Sequence, residues 1–111
     1  MKIASLEKNL VYNEIKPAIT VLLESDFTKE IRIVFRNNQQ MKEHQTPFPI
    51  IVEIFEGAID FGVNGEILAL QKGDLISLSG GVPHDLLAKA DSIVRLTLSK
   101  LDHSQRVKEV D

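Results

Sequence analysis

Apolar and polar positions alternate with a period of two along most of this chain, and the alternating runs are short. In Glu30 to Arg36, Ile31, Ile33 and Phe35 alternate with Arg32 and Arg36, the pattern of a strand with one buried face. Ala58 to Val63 places Ile59, Phe61 and Val63 on one side, and Ser92 to Ser99 sets Val94, Leu96 and Leu98 against Ile93, Arg95 and Thr97. Lys16 to Leu23 is rich in β-branched residues and follows a proline tolerated at a strand's start. Ile50 to Phe55 is apolar on both parities except at Glu53, which predicts a central strand covered on both faces.

Turn residues separate these runs. Asn64-Gly65 predicts a tight hairpin, since both residues accept the positive φ of a type I′ turn, and Glu66 to Leu70 is then the partner strand. Gln71 to Asp74 is a second turn before a short strand at Leu75 to Leu78, and Ser79-Gly80-Gly81-Val82-Pro83 is a loop leading to a strand at His84 to Lys89. Asn37 to Gln40 breaks the second strand, and Met41 to Pro49, with two prolines, reads as an extended, poorly paired segment. The sum is about eight short strands at roughly 8–12-residue spacing, an all-β sandwich or barrel with no βαβ alternation. Residues 1–14 form an arm or a short strand, 15–99 the barrel, and 100–111 a polar tail, helical or disordered.

Composition narrows the function classes. A chain of 111 residues suits one domain, and the absence of cysteine removes disulfides, thiolate metal sites and thiol nucleophiles together. A net charge of −3 with dispersed Lys and Arg gives no field for phosphates, so no nucleic-acid partner is expected. No apolar run is long enough to span a bilayer, the N-terminus lacks a signal-peptide core, and the expected address is cytoplasmic.

Two stretches carry the candidate chemistry. Asn38, His44, Thr46, Ile50 and Gly57 resemble the first motif of the cupin family, G-x5-H-x-H-x3-E-x6-G. Gly73, Ser79, Gly81, His84 and Ala88 resemble its second, G-x5-P-x-G-x2-H-x3-N. The resemblance covers about the middle half of the chain and implies a single-domain antiparallel β-barrel, the double-stranded β-helix or jelly roll of RmlC-like proteins. In metal-bearing cupins three histidines and a glutamate point inward and hold iron, manganese, zinc or nickel. Here Thr46 stands at the second histidine position and Ile50 at the glutamate, leaving His44 and His84. Two neutral imidazoles supply neither the ligand count nor the charge of a usual catalytic site.

The expected ligand-binding residues are therefore His44, Thr46, Phe48, Ile50 and His84, with His44 and His84 as ligands to a weakly held divalent ion if any is bound. No catalytic residue is assigned. The leading expectation is a non-catalytic module that binds a small molecule at the barrel mouth without obligatory metal; the alternative is a metal-dependent dioxygenase or isomerase using the two histidines. Either imidazole also has a plain structural use, bonded to a loop carbonyl. A Ser77, Ser79, His84 and Asp85 triad is disfavoured because Asp85 adjoins His84 on a strand and faces the other way. His103 is expected in solvent. Ile51 and Phe55, on the outward parity of the central strand, predict a homodimer interface.

Overall fold

A computed structural model describes residues 1–100. Nine strands run through them: β1 (Ala18–Glu24), β2 (Thr28–Phe35), β3 (Gln40–His44), β4 (Ile50–Glu56), β5 (Ala58–Val63), β6 (Glu66–Gln71), β7 (Leu75–Leu78), β8 (His84–Ala88) and β9 (Ser92–Ser99). They form a five-stranded sheet, β1-β2-β9-β4-β7, and a four-stranded sheet, β3-β8-β5-β6. All pairings are antiparallel. The polar tail beyond Lys100, with His103, lies outside the described residues.

The two sheets face each other because the period-two patterns agree on one inner side. Ile33, Phe35, Ile50, Val52, Ile54 and Val94 of the larger sheet pack in one cluster with Ile59, Phe61, Val63, Leu86 and Ala88 of the smaller. Burying each large side chain contributes about 1.5–3 kcal/mol, so this interleaved face is the main source of stability. Asn64 and Gly65 have the positive φ values, 53° and 75°, that their hairpin requires.

Two expectations change, and one open alternative closes. The segment from Met41 onward contains a strand that the sequence pattern hid: β3 pairs with β8 through Gln40↔Leu87, Met41↔Leu86 and His44↔His84, with an irregularity between the last two. That bulge breaks the alternation, which is why the strand did not register. β4 is covered on one face only, because Ile50, Val52 and Ile54 are buried while Ile51 is 45% exposed and Phe55 half-buried. The first residues form an irregular arm with no strand.

The arm is held from beneath. Arg32, on the outer face of β2 and 5% exposed, donates from its guanidinium to the carbonyls of Ser5, Lys8 and Asn9. Farther along, the Arg36 guanidinium lies 3.9 Å over the Tyr12 ring and pairs with Glu14 and Asp91. Between these two arginines on the same strand, the outward residue Val34 is 2% exposed.

Candidate functional site

The β3–β8 pairing brings His44 and His84 side by side at one end of the jelly roll, their ring centroids 4.4 Å apart and their planes tilted by 57°. His84 is 3% exposed and stacks on Phe61, with centroids 5.6 Å apart and planes within 6°. Each imidazole is fixed by the same local device. His44 Nδ1 lies 2.9 Å from the Lys42 carbonyl and His84 Nδ1 lies 2.9 Å from the Val82 carbonyl, both two residues upstream. A carbonyl oxygen only accepts, so each Nδ1 carries the hydrogen and donates it.

The remaining predicted residues occupy the rim and the wall. Thr46 gives its hydroxyl to the Phe48 carbonyl at 2.8 Å, so the position that resembles a second family histidine is spent on loop geometry. Its own carbonyl accepts from Gly81 N–H at 2.7 Å, stitching the β3–β4 loop to the β7–β8 loop. The approach is close: a Cβ on Gly80 would stand 2.3 Å from the Pro47 carbonyl oxygen, which only glycine permits. Ile50 is 3% exposed and belongs to the core. Phe48 is half-buried in the rim loop.

The donor set does not fit a resident divalent ion. Among the described residues no group of three or more His, Cys, Asp or Glu side chains is arranged to hold one. Glu53 faces outward to Arg95 and cannot substitute for the missing carboxylate. Asp85 stands on the strand face opposite His84, with its carboxylate over Gly62, where an added Cβ would meet both oxygens within 2.6 Å. With Glu43 and Glu66 it lines a groove of about 410 Å³ on the outer side of the smaller sheet.

Two features escaped the sequence reading. A cleft of about 400 Å³ lined by Ile50, Ile51, Ser77, Ser79 and Thr97 gathers hydroxyls from two strands and a loop that no linear spacing brings together. On the outer face of the larger sheet, Glu30 accepts from Thr97 Oγ1 at 2.6 Å and Arg95 Nε at 3.1 Å. Burial alone would raise the Glu30 carboxyl, but the hydrogen bonds from Thr97, Thr28 and Arg95 outweigh it and hold the group below its usual value. Cross-strand neighbours could have pointed to this network only once the β2–β9 register was known.

Comparison with known proteins identifies the fold. No protein-family model matches the sequence, and no curated protein sequence matches it. Solved structures do: an RmlC-like cupin from Desulfovibrio desulfuricans superposes with a TM-score of 0.82 at 20% identity, covering 89% of this chain and 96% of that one. TT1209 from Thermus thermophilus gives 0.80 at 20% identity over 89% and 98% of the two chains. An RmlC-like cupin from Shewanella frigidimarina gives 0.76 at 18% identity over 94% and 96%. The chain therefore has the cupin fold, which it shares with these structures. Among its described residues no helix is long and apolar enough to cross a membrane.

Proposed function

We propose that this protein is a non-catalytic binding module that holds a small molecule at the rim of the jelly roll, against His44 and His84, without obligatory metal. One observation carries the reading: two imidazoles with Nδ1 committed to backbone carbonyls sit at the end of an otherwise hydrocarbon core, with no third ligand beside them among the described residues. Buried apolar side chains of both sheets pack in one cluster beside the pair, so the ligand contacts the rim loops at Thr46 and Phe48. The lack of cysteine accords with a cytoplasmic setting. The test is a melting-temperature screen of small molecules on wild type and His44→Ala. A ligand that raises the wild-type value and not the variant's supports the reading, because ligands of the native state stabilise it. Hits that stabilise both proteins alike contradict it.

A metal-dependent enzyme is the second reading, favoured by one detail. Histidines that ligate metals commonly donate their other ring N–H to a carbonyl, as both do here. One equivalent of tightly held metal, lost in His84→Ala, would establish it over the first.

The reading includes a homodimer. Ile51, Leu75 and Phe27, respectively 45%, 66% and 63% exposed, give the outer side of the larger sheet an apolar character that water alone does not favour. Around them the Glu30–Arg95–Glu53 cluster supplies both signs of charge, so the face is complementary to a second copy of itself. Light scattering at micromolar concentration is expected to give twice the chain mass of 12.4 kDa.

A further inference from the structure

We infer that the His44–His84 pair selects ligands that donate hydrogen bonds, alcohols and amines, and rejects carboxylates and phosphates. The inference rests on the binding-module reading and gives its ligand a chemical class. Both Nδ1 atoms face carbonyl oxygens at 2.9 Å, and a carbonyl cannot donate. In its neutral form each ring is thereby fixed in one tautomer, with hydrogen on Nδ1 and a lone pair on Nε2. Neither Nε2 has a hydrogen-bond partner among the described residues. Nor is either sealed away, since the one buried side-chain nitrogen or oxygen without a partner there is Arg32 Nε. The site therefore offers two acceptors and, from these rings, no donor.

The surroundings act in the same direction. An anion binds where N–H groups or cationic side chains converge, whereas here the side chains directly flanking the imidazoles in β3 and β8 are Glu43 and Asp85, with the single cation Lys42 one residue farther along β3 and exposed. These two carboxylates, with Glu66, border a groove on the other side of the same strands. Their field disfavours a second negative charge at the rim and favours an ammonium or hydroxyl. A divalent cation would also take lone pairs, but two neutral nitrogens leave its charge uncompensated and its coordination short. Phe61 stacked on His84 holds the buried ring in place, so the acceptor pair is preorganised.

The test uses the full chain labelled with nitrogen-15. At mildly alkaline pH, long-range proton–nitrogen spectra are expected to show hydrogen on Nδ1 and a lone pair on Nε2 for both rings; hydrogen on either Nε2 overturns the inference. Ethanolamine and glycerol are then titrated against acetate, inorganic phosphate and zinc. The Nε2 resonances of both rings are expected to move with the first two and not with the anions. His44→Ala should weaken the response of His84 about tenfold, as loss of one hydrogen bond to the ligand would. Movement with acetate or phosphate, or saturation by one equivalent of zinc, overturns the donor class while leaving a ligand site at the rim. Stillness with every probe overturns the rim site and the donor class with it.

Discussion

The two ends of the jelly roll are secured by different means. At the end where β4 passes into β5, Gly57 turns with φ of 91°, and the buried Ser92 hydroxyl sits against it. Ser92 Oγ accepts from Ala58 N–H at 3.1 Å and lies 2.8 Å from the Ala90 carbonyl, to which it donates. Backbone bonds from Asn38 to Ala88, Lys89 to Ala58 and Gly73 to Ile54 bind the neighbouring connections into one piece. At the opposite end the loops meet through the Gly81–Thr46 bond, and the imidazoles keep Nε2 unpartnered among the described residues. One end has its polar groups satisfied internally, whereas the other leaves acceptors for something else. Unspent hydrogen-bonding capacity of this kind belongs at a binding surface, since it contributes little to folding.

On that contrast, substitutions at the closed end should cost far more stability than substitutions at the rim. Gly57→Ala should be the most damaging, at about 3 kcal/mol in urea unfolding, because its Cβ would stand 2.2 Å from Ser92 Oγ at a φ that disfavours any other residue. Ser92→Ala comes next, at about 2 kcal/mol, since it strands the part-buried Ala58 N–H. At the rim, His44→Ala should change stability by no more than about 0.5 kcal/mol, and a loss comparable to that of Ser92→Ala would erase the distinction between the ends.

A pH series separates both ends from the outer face of the larger sheet. The Glu30 carboxyl is held below its unfolded value, so its contribution is fully present above the unfolded carboxylate pKa and is lost as pH falls through the lowered, folded one. Glu30→Gln should flatten that acid-side decline without altering the response of the rim to ligand. An unchanged acid profile would remove Glu30 from the account. Titration at this site is the smallest of the expected effects because Arg95 remains partly solvated and its pairing is screened.

Much of the architecture was legible because period-two alternation and Asn-Gly chemistry are local. Phe35, Ile59, Phe61 and Val94 were assignable to an inner face from their own neighbours, and all are buried. What could not be read depended on distant partners. β3 carries a bulge that scrambles its alternation, and its pairing with β8 exists only in three dimensions. The burial of Arg32 required knowing that it reaches back to carbonyls of residues 5, 8 and 9. Motif spacing singled out His44 and His84, but spacing says nothing of which ring nitrogen is committed, and that depends on the carbonyls of Lys42 and Val82. The hydroxyls of Ser77 and Ser79, weighed in sequence only as members of a disfavoured triad, share one cleft with Thr97 in the fold.

The most direct test of the central claim is elemental analysis of protein purified without chelator, paired with melting temperatures measured with and without zinc, nickel and manganese. A rim of two imidazoles without a carboxylate predicts far less than one metal ion per chain and no rise in melting temperature on adding any of the three. One ion per chain, with a melting temperature that climbs on addition of that metal and a His84→Ala variant that loses both, would contradict it.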